Sequence, residues 1–270
     1  MNLFIRELRA NRNALIIWSV CMALLVISGM SKYTAYSAGG ANSQIFNDLP
    51  YSIKALLGIG SFDVTTMGGY FAMLFLYIEL AAAIHAVLLG SGILSKEERD
   101  KTTEFLIVKP VSRTSIITSK LLAALVNVLV LNIVTLVFSL TAVPAFNKGK
   151  DISGEIVVFM ASMLLVQLVF FSLGFALAAV IRRSKAAGSI SIGVLLGSFL
   201  LSKVTDLTNK LDALNLLAPF KYFSYRDIVD GRGLPVGIAF LSVLLAAAFV
   251  ACAYVCLLYT SDAADEGLGV

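Results

Sequence analysis

The sequence has few charged residues and a single histidine, and these shortages exclude several classes of protein. Only 14% of its 270 residues are charged, while 59% are hydrophobic; a soluble domain has about a quarter charged residues and about half apolar ones. The chain contains no H-E-x-x-H motif and no G-x-x-x-x-G-K-[ST] phosphate loop. A metal-dependent hydrolase and an ATPase therefore both fit poorly, and we predict no catalytic residue and no metal site.

Neither the three cysteines nor the net charge indicates a binding site. Cys21, Cys252 and Cys256 lie in apolar stretches without the spacing of a metal site or an extracellular disulfide. We interpret them as small buried hydrophobic residues. Basic residues that flank membrane spans account for the net charge of +4, so we expect membrane lipid around the chain and no nucleic-acid partner.

Six apolar stretches are long enough, or nearly so, to cross the hydrocarbon core, which takes about 20 helical residues. They cover residues 14–30, 70–92, 115–143, 156–181, 186–203 and 236–259, and the fifth is the shortest. Lipid cannot satisfy unpaired backbone groups, so membrane spans of this length are helical. We predict an all-α integral membrane protein with a six-helix transmembrane bundle.

Basic residues predict that the N-terminus lies in the cytoplasm. They are concentrated before the first span, between the second and third spans (six Lys and Arg in 95–120), and between the fourth and fifth spans at 182–185. The positive-inside rule places these three segments on the cytoplasmic side of the plasma membrane. The N-terminal segment 1–13 is either an amphipathic helix that lies along the inner surface before turning into the first span, or a charged stop.

The segment Ser95–Lys120 is the most charged part of the chain and lies between two apolar stretches. Ser95 and Glu98 form a capping-box pattern, which predicts that a short cytoplasmic helix begins at Ser95. Pro110 disfavours helix at the preceding residue and predicts a turn, after which Ser112 can cap the next helix. The pattern favours a rigid elbow over the alternative, an ordinary basic loop.

The same segment resembles the signature of permease subunits of type-2 ABC transporters. The matching positions are Glu97, Thr102, Glu104, Phe105, Leu106, Pro110, Val111, Ser112, Arg113 and Lys120. The family often has Gly before the Thr, where this chain has Lys101. The loops Leu49–Tyr70 and Leu216–Gly231 also resemble loops of that family.

The resemblance implies a permease subunit of an exporter that is driven by a separate ATPase subunit. The elbow would be a coupling helix that docks on the ATPase through Glu97, Thr102, Glu104, Pro110 and Arg113. ATP and Mg would be bound by the ATPase, and this chain would bind no cofactor. A second permease subunit, identical or related, would complete the pathway. The resemblance does not specify a substrate.

Two ionisable residues lie inside the second apolar stretch. A charge near the bilayer centre costs at least about 2.5 kcal/mol on insertion scales, so Glu79 must face the bundle interior, a cavity or a partner. It lies either on a substrate or proton path or in a packed, hydrogen-bonded site. His85, six positions later, points about 120° away from it. An alternative function is a self-sufficient proton-coupled carrier that uses Glu79, although this leaves the segment 95–120 without a role.

Two spans carry small residues four positions apart, a spacing that lets helices approach closely in a bilayer. The two sets are Ala82, Ala86 and Gly90 in the second span and Ser189, Gly193 and Gly197 in the fifth. Each set predicts either packing within the chain or an interface between subunits.

The C-terminal residues 256–270 are interpreted as a non-native tail. The run Cys256–Glu266 resembles the translation of a sequencing adapter read in frame. The alternative is a native acidic tail. We therefore place a single transmembrane permease domain at residues 1–255 and assign no function to the tail.

Overall fold

The fold is a bundle of long α-helices. The structure is a computed structural model that describes residues 3–37, 48, 50, 53–54, 62–99, 113–146, 149, 151–181, 184–207 and 214–266; for 95–99, 113, 184–185 and 259–266 it describes the backbone alone. Its helices are α1 (Leu3–Met30), α2 (Tyr33–Tyr36), α3 (Met67–Arg99), α4 (Arg113–Phe146), α5 (Ser153–Val180), α6 (Ser184–Leu207), α7 (Tyr225–Val229) and α8 (Val236–Glu266). All the described secondary structure is helical, and six of these helices are long and apolar enough to cross a membrane. The predicted all-α, six-span architecture is confirmed.

The helices extend beyond the apolar stretches that predicted them. Helix α6, for example, runs from Ser184 to Leu207, past the predicted end at Lys203. The Lys203 Nζ atom lies 3.4 Å from Asp206 Oδ2, three residues later on the same helix. Ion pairs at this spacing stabilise a helix, so a charged residue that ends a hydrophobic run need not end the helix.

The N-terminal segment does not form a separate surface helix. Helix α1 runs without a break from Leu3 to Met30, so of the two alternatives for residues 1–13 the surface helix that turns into the first span does not fit. Arg9 and Arg12 are exposed on its first turns, whereas Glu7 is buried, bonded to the Arg6 guanidinium at 3.3 Å. No proline interrupts this stretch, and a continuous helix satisfies the backbone groups that a turn would leave unpaired.

The short helix predicted to begin at Ser95 is also not a separate element. Helix α3 continues through Ser95 to Arg99, so Ser95 is an interior residue of a helix and the predicted cap is wrong. A Ser-x-x-Glu pattern can cap only where the preceding residues have left the helical conformation. Here the preceding residues belong to a span that is already helical.

Helices α3 and α5 form the centre of the bundle, and their backbones approach closely at two glycines. A Cβ atom added at Gly90 of α3 would lie 2.2 Å from the carbonyl oxygen of Phe171, and one added at Gly174 of α5 would lie 2.5 Å from that of Val87. No larger residue fits this crossing without moving the backbones apart. Small residues are what allow such close helix packing in membranes.

The remaining spans surround this central pair. Helix α1 packs along α4, α8 packs along α5, and α6 packs against α3 and α5. Helix α8 is the least buried of the six spans. Cys21 and Cys252 are exposed on the outer surfaces of α1 and α8, so the prediction that they are buried residues is wrong; surrounding lipid tolerates an apolar surface that water would not.

Candidate functional site

Residues 218–229, in the connection between α6 and α8, pack into the bundle, and we call them the re-entrant segment. Pro219 begins a turn of 3₁₀-helix, and the side chains that follow it point inward. The Phe220 ring lies 5.1 Å from the ring of Phe170 in α5 and 5.4 Å from that of Phe199 in α6. The buried residues of the segment are Ala218, Pro219, Phe220, Tyr222, Phe223 and Ile228.

Hydrogen bonds to backbone atoms fix the shape of the re-entrant segment. The Tyr222 hydroxyl donates to the Leu216 carbonyl at 2.7 Å, and the Ser198 hydroxyl of α6 donates to the Leu217 carbonyl at 3.3 Å. Ser224 caps the N-terminus of α7, and its hydroxyl accepts a hydrogen bond from the backbone N–H of Asp227. These bonds pair backbone groups that a connection outside the long helices would otherwise leave unsatisfied.

The deepest polar contact of the segment joins Tyr225 to Glu79. The Tyr225 hydroxyl donates to Glu79 Oε2 over 2.5 Å, and Glu79 is only 1% exposed. Glu79 lies near the middle of the apolar part of α3, Met67–Leu94. Burial, and then the adjacent Glu79 carboxylate, raise the pKa of Tyr225 well above its ordinary value. The phenol therefore stays protonated and serves as the donor.

Aromatic rings enclose this hydrogen bond. Phe75, one turn before Glu79 on α3, has its ring 5.4 Å from that of Tyr225 in an edge-to-face arrangement. Phe159 of α5 lies 5.9 Å from Tyr225 and 4.6 Å from Phe75. Aromatic pairs at these separations are attractive, and together they keep lipid tails and bulk water away from the carboxylate.

Three further charges lie on α6 and the re-entrant segment. Asp206 accepts from Lys203 at 3.4 Å and forms a short contact with Lys221. Lys203 is buried. The formal charges of Glu79, Lys203, Asp206 and Lys221 cancel. An overall neutral group is the arrangement in which buried charges are least costly.

Of these residues, the sequence predicted only Glu79. Tyr225, Lys203 and Asp206 were missed, although one signal was present. An acidic residue within one predicted span and a lysine at the end of another suggest a buried pair, because isolated charges in spans are expensive. Nothing in the sequence pointed to Tyr225, which is one of nine tyrosines and lies 146 positions from its partner.

His85 lies apart from this group, as its angular offset on the helix predicted. It is 5% exposed, and its ring makes an edge-to-face contact with Trp18 of α1 at 5.3 Å. Its buried Nδ1 atom has no hydrogen-bond partner among the described residues. In the described part of the chain, no group of three or more His, Cys, Asp or Glu could hold a metal ion.

A second polar contact lies between α4 and α5. Asn132 Nδ2 donates to Gln167 Oε1 at 3.2 Å and to the Met160 carbonyl at 3.1 Å. Gln167 is fully buried, and its Nε2 atom has no partner within the described residues. Polar contacts of this kind fasten spans together in lipid, each by about 1 kcal/mol.

Most of the predicted coupling residues lie outside the described residues. Thr102, Glu104 and Pro110 fall within 100–112, whereas Glu97 lies on the C-terminal extension of α3 and Arg113 begins α4. The structure therefore places Glu97 and Arg113 at the same end of the bundle. Just inside that end, the buried Lys120 of α4 donates to the Ile93 carbonyl of α3 at 2.8 Å.

The two sets of small residues have opposite surroundings. Ala82, Ala86 and Gly90 are buried inside the bundle, and we call them the inner face. Ser189, Gly193 and Gly197 are exposed on α6, and a Cβ atom added at either glycine would meet nothing within 4 Å. We call these three residues the outer face.

Comparison with known proteins gives one family. A family model described as "ABC-2 family transporter protein" matches residues 1–262, which include all six membrane-spanning helices, the re-entrant segment and the elbow. No curated protein matches the chain.

Proposed function

The chain belongs to the ABC-2 family of transporter proteins, and from this premise we propose that it is the membrane-spanning subunit of an ATP-driven exporter. The observation that carries the proposal is the extent of the family match, which covers nearly the whole six-span bundle. The chain supplies the pathway, and ATP hydrolysis takes place on a separate ATPase subunit that binds ATP and Mg. The bundle's polar contacts do not identify the exported substrate.

The elbow between α3 and α4 is the proposed docking site for that ATPase. Helix α3 continues past its apolar part to Arg99, so Glu97 projects beyond the membrane-spanning length on a rigid helix. The bond from Lys120 to the Ile93 carbonyl ties α4 to α3 at the base of this projection. Force applied to the elbow would therefore reach both helices together.

This assignment sets the orientation of the chain. The ATPase is cytoplasmic, so the elbow and the N-terminus lie in the cytoplasm and the re-entrant segment lies toward the opposite side of the plasma membrane. The basic residues before α1, in the elbow and between α5 and α6 support the same orientation.

A second permease subunit packs, in this proposal, against the outer face of α6. Within the described chain nothing covers Gly193 or Gly197, and small residues are typical of positions where helices meet across a membrane interface. The outer face consists of small residues, so two copies of it can pack closely against each other in a homodimer. A related permease with a similar face would fit as well.

Binding of a co-expressed ABC ATPase subunit tests the function. The complex should co-purify in detergent, and reconstitution of the permease in nanodiscs should stimulate ATP hydrolysis. Glu97→Lys places a like charge where a docking contact is expected, so binding should weaken about tenfold or more. Unchanged unfolding temperatures would show that the variant is folded.

Asp48→Lys is the matched control, because it reverses an exposed carboxylate between α2 and α3, at the opposite end of the bundle. Its ATPase binding should equal that of the unmodified chain. Equal binding by the Glu97→Lys variant, or no binding by the unmodified chain, would contradict the proposed docking site.

A further inference from the structure

The contact between Tyr225 and Glu79 is the only described hydrogen bond from a side chain of α7 to a membrane-spanning helix. The other side-chain ion pairs of α7, Arg226 with Asp230 and Asp227 with Arg232, reach only residues of the same connection and are largely exposed. These exposed ion pairs contribute little stability. A hydrogen bond to a buried carboxylate contributes more, because separating the two leaves both groups unpaired in an apolar environment.

The apolar packing of α7 is modest by comparison with that of a membrane span. The helix has five residues, and Ile228 is its fully buried apolar side chain, at 1% exposure. Lipid does not drive apolar surfaces together as water does. The specific bond at Tyr225 therefore weighs heavily in keeping α7 inside the bundle.

We infer that Glu79 and Tyr225 are positioning residues that hold α7 in the bundle, and that their hydrogen bond must break when the pathway opens at this end. Glu79 serves as the acceptor. Tyr225 is the mobile partner, since it belongs to a connection between spans. The inference deepens the proposed function, because it assigns the closed end of the proposed pathway to named residues.

This role differs from that of a proton carrier at the same carboxylate. We call the hydrogen bond between Tyr225 and Glu79 the latch. A positioning residue needs an acceptor oxygen, which glutamine retains, so Glu79→Gln should preserve most of the latch. A proton carrier needs an ionisable group, which glutamine lacks. Tyr225→Phe keeps the contacts with Phe75 and Phe159 but removes the donor, so it should disrupt the latch and leave a proton carrier intact.

Cysteine labelling in the absence of ATP measures the latch directly. In a background with Cys21, Cys252 and Cys256 replaced by alanine, Ile228→Cys places a thiol at a buried position of α7. Arg226→Cys places one on the exposed side of the same helix and serves as the control. A membrane-impermeant maleimide is added to nanodiscs, in which both membrane faces are accessible.

The thiol at position 226 should react rapidly in every background and the thiol at position 228 slowly in the parent. Tyr225→Phe should accelerate the reaction at position 228 about tenfold, the factor expected for losing one hydrogen bond to a charged group. Glu79→Gln should accelerate it by less than about threefold, since an acceptor oxygen remains for the tyrosine. Equal rates at position 228 with and without the tyrosine hydroxyl would overturn the inference.

A second pair of variants keeps the test decisive if Tyr225→Phe does not fold. Glu79→Leu removes the acceptor whereas Glu79→Gln retains it, so a fast reaction at position 228 in the first and a slow one in the second support the latch. Equal rates in the two would contradict it. The labelling requires neither ATP nor an ATPase, so it can fail while the ATPase-binding experiment succeeds, and the reverse also holds.

Discussion

The inner face of α3 and the outer face of α6 share a sequence pattern and differ in everything that surrounds them. Both carry small residues at four-residue spacing within an apolar helix. On α3 the pattern meets the backbone of α5, whose Phe171 carbonyl would lie 2.2 Å from a Cβ atom at Gly90. On α6 the same pattern faces outward, with open space beyond Gly193 and Gly197.

The difference shows what a small-residue pattern encodes. It allows a close approach of helix backbones, but it does not state which helix approaches. The bundle uses the pattern once for its own packing and leaves the second copy exposed on α6. The two faces therefore predict opposite mutational behaviour: loss of folding on one and loss of association on the other.

The largest effect is expected for Gly90→Ala on the inner face. The added methyl group would collide with a backbone carbonyl that no side-chain rotation can move aside, so the unfolding free energy should fall by about 3 kcal/mol, the upper end for overpacking. The unfolding midpoint in detergent measures this change. Gly92→Ala, two residues later on the same helix and with nothing within 4 Å, should not destabilise the protein and should gain about 0.5 to 1 kcal/mol from helix propensity. A parent-like midpoint for Gly90→Ala would show that α3 and α5 are farther apart.

An intermediate effect is expected for Gly193→Leu on the outer face, and it should appear in association rather than in folding. The larger side chain meets open space within the chain, so the unfolding midpoint should be unchanged. Self-association in nanodiscs, followed by energy transfer between labelled subunits, should weaken about tenfold, or about 1.4 kcal/mol. Gly237→Leu, at an exposed glycine of α8, should leave association unchanged. The same loss in both variants would mean that the outer face is not the interface.

The smallest effect concerns a single methyl group of the inner face. Ala86 is fully buried, so Ala86→Gly loses helix propensity and also leaves a methyl-sized gap. Ala247→Gly on the exposed side of α8 loses helix propensity alone. The first should destabilise the protein by about 1 kcal/mol more than the second, as expected for one buried methyl group. Chemical unfolding curves of the two variants give the difference; identical curves would indicate that Ala86 lies outside the packed contact.

The architecture could be predicted from the sequence because each span depends on its own residues. An apolar stretch of about 20 residues must be helical in lipid whatever its neighbours are, and all six predicted spans correspond to helices. The residues at which the helices begin and end were less predictable. The pattern at Ser95 is typical of a helix start, but the helix had begun at Met67 and did not stop.

The candidate site could be predicted only in part, because it depends on residues far apart in the chain. Glu79 was identifiable, since a carboxylate in an apolar span requires a partner. Its partner was not, because the tyrosine that bonds to it lies in a connection whose course no local pattern determines. The outer face was likewise visible as a pattern, but only the packed bundle distinguishes it from the inner face.

Helix α3 is a continuous rod of 33 residues without proline, about 50 Å long. One of its ends leads to α4, Glu79 lies about 21 Å from Ile93 along it, and Lys120 bonds to it at the Ile93 carbonyl. Such a helix works as a lever whose pivot lies near Ile93, close to the end that leads to α4. A tilt of about 5° about Ile93 displaces the carboxylate by roughly 1.8 Å, given the rise per residue of an α-helix. A displacement of this size takes the bond to Tyr225 beyond hydrogen-bonding distance, so a small rotation at the end near α4 is enough to release α7.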